Sequence, residues 1–429
     1  MSHFDRQPWR GRGIGGGGYW NPRGTTRNRH DPPPLGDLLT TISFEDLKDL
    51  ADEESAPAQI VNSEYVTSYN WLDRRNGTIL VPGEPPVFTA PQTPRKLRED
   101  SGTYYRDQNA SRHPSYPMEP IIRAIQTEKP DYNAQGRDII ACGSTMGNLL
   151  RFARGSDKPF RILIEAIGDT VFFLRRENSP LETIPDVRGY GHSFPEAYTA
   201  WSSTVRGSES HQRVVSYEFS KLKILVRFEV DGFLNDRVHD HEHISELEPL
   251  NPGSGSVSDS SETGSNTENE LLDSMANAAV SSVWLTDKRE TSEALRIERR
   301  GRIIPQCAIF DLKTRSLKKK HVDTLQEELP RLWVSQIPNF MLAHHEFGVF
   351  KSVEIRDTTH AMKEWEEENN EALVRFAALL KRTVAFARSM GKFEIVRGVD
   401  SEELELREQG GNVRGVLPPD LMDMWDSGI

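Results

Sequence analysis

Two short stretches decide the fold of this chain: Arg227-Phe-Glu-Val-Asp-Gly-Phe233 and Ala308-Ile-Phe-Asp-Leu-Lys-Thr314. Each places acidic residues at the end of an apolar run. In a β-strand every second side chain points to the same face of the sheet. We therefore expect Glu229 and Asp231 to share one face of a strand, and Asp311 to share a face with Lys313 on a neighbouring strand.

Carboxylates brought together in this way repel one another unless a cation lies between them. Oxygen ligands suit magnesium or manganese, so the pattern is typical of a metal-dependent phosphodiesterase. Each motif taken alone is more often a solvated strand face with an ordinary cross-strand ion pair. Two such motifs in one chain favour a shared site over that explanation.

The chain has 429 residues, 28% of them charged, and a net charge of −12. This negative balance argues against a protein that coats nucleic acid over its whole surface, but it permits a local basic groove. The two cysteines, Cys142 and Cys307, suit a reducing compartment and no disulfide framework. No apolar run is long enough to cross a bilayer, so we expect no membrane association and an intracellular location.

Shifts in composition predict one folded domain with flexible additions. Residues 1–35 are rich in glycine and arginine and are expected to form a disordered arm. A single domain is expected over residues 36–400, interrupted by a disordered acidic and serine-rich insertion at residues 235–280. Residues 401–429 are interpreted as an acidic tail.

Within the domain, the patterns predict an α+β fold with a mixed, largely antiparallel central sheet flanked by helices. Two hairpins are expected, one pairing residues 162–165 with 170–174 and one pairing 214–219 with 223–230. Further strands are predicted within 60–81, 138–142, 303–310, 393–397 and 403–407. Helices are predicted at 44–50, 118–125 and 373–387, the last ending at Gly391.

Four motifs follow one another along the chain: Glu165 in Ile-Leu-Ile-Glu-Ala, Glu229-Val-Asp231, Asp311-Leu-Lys313 and Leu332-Trp-Val-Ser-Gln336. In this order and strand context they resemble the decapping and exoribonuclease (DXO) family, a branch of the PD-(D/E)XK nuclease fold. The resemblance covers roughly residues 60 to 400 outside the insertion. It departs from the family at Cys142-Gly143-Ser144, where the family has Trp-Arg-Gly, and at Asp311, where the family usually has glutamate.

The resemblance implies a metal centre for one or two Mg²⁺ or Mn²⁺ ions. Its implied ligands are Glu165, Asp231, Asp311 and the backbone carbonyl of Leu312. Glu229 would take part directly or through water, Lys313 would orient the attacking water or neutralise the phosphate, and Gln336 would lie nearby. The phosphates leading into the site would be held by basic side chains: Arg227, Arg315, Lys318, Lys319 and Lys320.

By resemblance, the chemistry would be hydrolysis at the 5′ end of RNA, as pyrophosphate removal, decapping or 5′–3′ exonuclease action. The implied partners are RNA 5′ ends and a 5′–3′ exoribonuclease, and the implied location is nuclear. A second hypothesis stays open because the family arginine is missing beside Gly143. In that case the protein is a catalytically degenerate nuclease fold that binds RNA or a partner exonuclease as a scaffold.

Overall fold

The computed structural model describes residues 31–52, 57–73, 77–156, 158–185, 187–238, 294–399, 401–411, 413 and 415–426. Residues Pro32–Ile429 cluster into one unit. The predicted arm at 1–35 and the predicted insertion at 235–280 lie almost entirely outside the described residues. No helix in the described ranges is long and apolar enough to span a membrane.

Eleven strands form a large, mostly antiparallel sheet. In spatial order the strands are β1 (Leu38–Ser43), β17 (Glu403–Arg407), β16 (Lys392–Arg397), β6 (Phe160–Ile167), β7 (Thr170–Arg175), β5 (Ile139–Cys142), β10 (Leu222–Val230), β9 (Ser208–Phe219), β2 (Ile60–Leu72), β3 (Thr78–Gly83) and β12 (Arg296–Gly301). Its parallel pairs are β5 with β7, β5 with β10, and β3 with β12.

A second sheet of six strands adjoins the first through the chain that follows β10. In spatial order its strands are β15 (Val349–Asp357), β14 (Asn339–Glu346), β13 (Ile309–Ser316), β11 (Gly232–Phe233), β4 (Val87–Phe88) and β8 (Thr199–Ala200). Because β10 and β11 are separated only by Asp231, the polypeptide passes directly from one sheet to the other at this residue. The predicted acidic motif therefore lies at the junction of the two sheets.

Helices cover both faces of the large sheet, as the alternation along its strands requires. On β7, Val171 and Phe173 pack into one apolar core, and Phe172 and Leu174 pack into another on the opposite face. The described helices are α1 (Phe44–Asp52), α2 (Gln108–Arg112), α3 (Glu119–Glu128), α4 (Gly143–Ala153), α5 (Ser193–Tyr198), α6 (Thr324–Ser335), α7 (Thr359–Glu368), α8 (Asn370–Met390) and α9 (Pro419–Asp426).

The predicted fold class is confirmed. Both hairpins form, as β6 with β7 and β9 with β10, and each is antiparallel. The long apolar helix is α8, and it ends where predicted because Gly391 adopts a φ of 81°, a conformation that residues with a Cβ rarely take.

Two predicted elements are wrong. Residues 303–308 do not form a strand: they run irregularly into a short 3₁₀ turn, and the strand begins at Ile309. The segment after residue 400 is not a tail: the strand predicted at 403–407 forms as β17 and pairs with β1 and β16, and α9 packs into the core. Leu421 and Trp425 of α9 are buried, so the apolar residues of this segment outweigh its acidic composition.

Candidate functional site

A cavity of about 880 Å³ opens beside the junction of the two sheets. One face of α4, the ends of β6, β7 and β10, the strand β13 and the helix α6 contribute to its walls. Nine of its lining residues are cationic: Arg106, Arg151, Arg154, Lys158, Arg161, Arg175, Arg176, Arg227 and Arg331. Six are acidic: Asp107, Glu177, Glu229, Asp311, Glu327 and Glu328. The cavity is thus net positive in a chain whose net charge is −12.

Three of the predicted acids meet at the edge of this cavity, in a group that we call the carboxylate corner: Glu229, Asp231 and Asp311. Glu229 and Asp311 line the cavity, and Asp231 lies beside them. Glu229 is the penultimate residue of β10, and Asp231 follows two residues later in the link to β11. Because β11 pairs antiparallel with β13 at Gly232 and Phe310, the same register brings Asp231 next to Asp311. The backbone N–H of Leu312 donates a hydrogen bond of 2.6 Å to Asp231 Oδ2.

The charges at the carboxylate corner affect one another. Burial raises the pKa of Asp231 to about 8, and the carboxylates of Asp311 and Glu229 add to the shift. Burial raises the pKa of Glu229 to about 7, helped by Asp107 and Asp311 and opposed by the Arg227 guanidinium. Glu229 is nevertheless open to the cavity on one side. Near neutral pH the corner therefore retains protons that isolated carboxyl groups would lose.

The guanidinium of Arg331 supplies the positive charge at this corner. It forms a two-pronged ion pair with Asp311, in which Nη2 lies 2.7 Å from Oδ1 and Nη1 contacts Oδ2. Its Nε donates to Glu328 Oε2 at 2.9 Å. Burial alone would lower the pKa of Arg331, but Asp311 and Glu328 raise it above its ordinary value. Arg331 is on the helix α6, and no predicted role had been given to it.

The corner does not fit a divalent metal as it stands. Both oxygens of Asp311 hold Arg331, and one oxygen of Asp231 accepts the Leu312 N–H. In the described ranges, no group of three or more His, Cys, Asp or Glu side chains is arranged to hold a metal ion. The predicted ligands Asp231 and Asp311 are thus close together but already paired with protein groups, and Leu312 contacts the corner through its N–H.

The fourth predicted ligand, Glu165, is in the wrong place. It lies on β6 four residues beyond Arg161, which lines the cavity, so the two are roughly 13 Å apart along the strand. Its carboxylate pairs with Lys392 Nζ at 2.7 Å and accepts the Val416 N–H at 2.9 Å. Glu165 therefore fixes the C-terminal segment to the sheet and does not reach the cavity.

Two predicted catalytic residues do not line the cavity. Lys313 shares the Asp311 face of β13, but its Nζ lies 3.4 Å from Glu328 Oε1, and it does not line the cavity. Gln336 ends α6 with a φ of 53° and donates from its side chain to the Trp333 carbonyl at 2.6 Å. Its neighbour Ser335 lines the cavity in its place.

Of the predicted phosphate-binding residues, only Arg227 lines the cavity. Arg315 lies over α6, with its Nη2 3.5 Å from Glu327 Oε2. The run Lys318–Lys320 is exposed on a 3₁₀ turn after β13, outside the lining residues. Arg315 thus reaches two glutamates of the cavity wall without lining the cavity itself, and the three lysines follow the end of β13.

Arg227 is almost fully buried between β10 and the start of α4. Its Nη2 donates to Cys142 Sγ at 2.8 Å, and its Nη1 donates to the Pro117 carbonyl at 3.2 Å. Both partners are neutral acceptors, because burial raises the pKa of the Cys142 thiol. The buried guanidinium thus lies beside Cys142, the residue before Gly143, although Arg227 belongs to β10.

No sequence motif predicted a role for the arginines of α4 and β7. Arg151 and Arg154 are three residues apart at the C-terminal end of α4, and among the described residues neither has a carboxylate within salt-bridge distance. Burial lowers the pKa of Arg151, and the nearby Arg175 guanidinium lowers it further. The spacing Arg-x-x-Arg was a visible signal of a shared helix face, but nothing in it indicated what that face would meet.

Guanidinium groups that crowd one another without a carboxylate partner favour an anionic ligand between them. The cavity therefore offers a cationic wall, formed by Arg151 and Arg154, in addition to the carboxylate corner, where Arg331 pairs with Asp311. Arg175 also lines the cavity, but it is already paired with Glu177. This arrangement can bind a phosphorylated molecule along the wall and place its end against the corner.

Comparisons with known proteins give a family and a fold. A family model described as a domain of unknown function (DUF8563) matches residues 48–403. No curated protein matches the sequence.

Among solved structures, the chain is similar to Rai1 from Scheffersomyces stipitis in complex with (3′-NADP)⁺ and calcium, at 11% identity and a TM-score of 0.56, covering 92% of this chain and 100% of that one. It is also similar to Candida albicans Rai1 in complex with pU5 and Mn²⁺, at 10% identity and a TM-score of 0.53, covering 91% and 99%. A mutant S. pombe Rai1 in complex with 3′-FADP gives 10% identity and a TM-score of 0.52, covering 86% and 99%. These likenesses show a shared fold and confirm the predicted resemblance at that level.

Proposed function

This chain belongs to the family described as a domain of unknown function (DUF8563), and we propose that it binds the phosphorylated 5′ end of RNA in the arginine-lined cavity. The observation that carries the proposal is the set of guanidinium groups on the cavity wall that lack carboxylate partners, above all Arg151 and Arg154. Phosphate oxygens are the anions that arginine forks match best in geometry.

Likeness in fold supports RNA as the source of the phosphate. A Rai1 protein of the same fold was solved with pU5, an oligonucleotide, and others were solved with dinucleotide-type ligands. A cavity of about 880 Å³ is large enough for a terminal nucleotide and leaves one side open for the chain that follows. The protein would hold the 5′ end as a binding module, which is the degenerate-nuclease hypothesis of the sequence.

The proposal is tested by fluorescence anisotropy with 5′-phosphorylated pentauridylate, in EDTA so that binding without metal is measured. We expect the pair Arg151→Ala with Arg154→Ala to weaken binding by about tenfold or more, since each charge-assisted hydrogen bond to a phosphate contributes about 1.5–3 kcal/mol. The matched control is Lys363→Ala with Arg382→Ala, which removes two exposed helical cations outside the cavity.

Equal losses in both double variants would contradict a role for the cavity wall. Equal affinity for the 5′-phosphorylated and 5′-hydroxyl oligonucleotides would contradict recognition of the 5′ end and would indicate binding along the backbone instead. Binding of inorganic pyrophosphate with the same affinity as the oligonucleotide would identify a phosphate site that does not require RNA.

A second candidate is the metal-dependent hydrolysis of RNA 5′ ends by Mg²⁺ or Mn²⁺. It is favoured by the meeting of Glu229, Asp231 and Asp311 at one corner, in a fold for which a relative was solved with Mn²⁺. Incubation of 5′-triphosphate and 5′-monophosphate RNA with manganese separates the two candidates. Shortened or dephosphorylated products that disappear in Glu229→Gln would support hydrolysis, and intact RNA would support binding alone. A partner exoribonuclease stays a prediction of the sequence resemblance.

A further inference from the structure

The carboxylate corner is neutralised by a cation that belongs to the chain itself. Arg331 approaches Asp311 with both terminal nitrogens, and Asp311 is only 2% exposed. A buried carboxylate requires a partner of opposite charge, and a planar guanidinium fork satisfies both of its oxygens at once. The two oxygens that a divalent ion would need are therefore already taken.

Arg331 is held in this position from both sides. Its Nε and Nη2 each lie 2.9 Å from Glu328 Oε2, one turn earlier on α6. The helix itself is anchored by the buried Leu332 and Trp333, and the Trp333 indole donates to Glu366 at 2.7 Å. The Arg331 side chain is 43% exposed, and its guanidinium is held at Asp311 by a second ion pair with its own helix neighbour, Glu328.

We propose that Arg331 replaces the divalent cation at the carboxylate corner, so that this site takes no metal until the guanidinium is removed. Arginine keeps its charge at all ordinary pH values, so the replacement is permanent rather than regulated. This replacement concerns only the cation at Asp311, and it does not depend on RNA binding by the cationic wall.

The inference is tested by manganese binding, measured as the loss of the electron paramagnetic resonance signal of free Mn²⁺. The unmodified protein should leave the signal unchanged, and Arg331→Leu should bind Mn²⁺ at least tenfold more tightly. Adding Asp311→Asn to Arg331→Leu should abolish the gain, because it removes the carboxylate that the ion would use. Arg315→Leu is the matched control: Arg315 pairs with Glu327 and Glu328 but not with Asp311.

Three outcomes would overturn the inference: Mn²⁺ binding by the unmodified protein as tight as by Arg331→Leu, no binding by a folded Arg331→Leu, or a gain that survives Asp311→Asn. Circular dichroism establishes whether each variant is folded. Should Arg331→Leu not fold, Arg331→Gln removes the same charge while keeping a polar side chain, and the same expectations apply to it. Failure of RNA binding in the anisotropy assay would leave these manganese results unaffected.

Discussion

At the residue scale, the three acids of the carboxylate corner differ in what neutralises them. Asp311 has the guanidinium of Arg331, whereas Asp231 has one backbone N–H and two neighbouring carboxylates. For Glu229, the Arg227 guanidinium lowers the pKa, whereas the carboxylates of Asp107 and Asp311 raise it. Burial and the two neighbouring carboxylates together raise the pKa of Asp231 to about 8.

The raised pKa of Asp231 predicts that the stability of the folded protein depends on pH, and that Asp231→Asn removes this part of the dependence. The pKa of Asp231 is higher in the folded chain than the ordinary 3.8 that it regains on unfolding. Between these values the folded state holds a proton that the unfolded state has lost. The contribution of this carboxyl group to the free energy of unfolding is therefore complete below pH 4 and decreases as the pH rises toward 8. We expect Asp231→Asn to be more stable at pH 8 by about 1–2 kcal/mol, and to differ little at pH 4.5.

The measurement is chemical unfolding in EDTA at both pH values. Asp131→Asn serves as the control because Asp131 is exposed and lies outside the lining residues of the cavity. An Asp231→Asn variant that gains nothing at pH 8 would show that this carboxyl is ionised in the folded protein.

At the element scale, the C-terminal segment, residues 401–429, is part of the folded domain instead of a tail. Strand β17 fills the place between β1 and β16, and α9 covers the face of the sheet that α3 also covers. Glu165 ties this segment down through the Val416 N–H. The segment therefore contributes to both cores: Leu404 and Leu406 of β17 pack with α4 and α8, and α9 packs on the opposite face of the sheet.

Removal of the main anchor of α9 tests this assignment. Trp425 is buried, and its ring centroid lies 5.5 Å from that of Phe172. We expect Trp425→Ala to lower the free energy of unfolding by about 3 kcal/mol, because a large buried side chain is lost and a cavity remains. Phe347→Ala is the control, since Phe347 is 72% exposed and its removal should change stability by no more than about 0.5 kcal/mol. Equal effects of the two changes, measured by urea unfolding, would contradict the packing of this segment in the core.

At the scale of the whole molecule, the positive cavity stands out from an acidic chain. The net charge of −12 repels polyanions from most of the surface, while the cavity gathers nine cationic residues against six acidic ones. Focused positive potential inside a concave wall attracts anions to that place more than a diffuse basic surface would. Binding of RNA should therefore involve few phosphates, near the 5′ end.

A limited number of contacts predicts a shallow dependence on salt. For single strands, the logarithm of the affinity falls with a slope of about −0.7 per phosphate neutralised. Two phosphates on the wall give about a sevenfold loss of affinity between about 50 and 200 mM salt. A titration of 5′-phosphorylated pentauridylate by anisotropy measures the slope. A slope equivalent to four or more phosphates would indicate that the RNA follows a longer path over the protein than the cavity provides.

The sequence by itself determined the local elements and the local pair of acids. The hairpins, the apolar helix α8 and its stop at Gly391 depend on periodicity and on backbone conformation, which neighbouring residues fix. Glu229 and Asp231 reach the same corner because they are two residues apart at the end of one strand. Asp311 was found as well, since its apolar flanks identified a second strand even though that strand begins later than predicted.

Only the tertiary structure decided what surrounds those acids. Glu165 carries the same strand signal as the others, but the direction and length of β6 put it beyond the cavity, where it meets Lys392. Arg331 and Arg151 belong to helices far apart in sequence, and they reach the cavity because α4 and α6 pack against the sheet. Whether a buried carboxylate is neutralised by a metal, a proton or a guanidinium depends on which charge the fold brings within contact, and the spacing of residues along the chain does not contain that information.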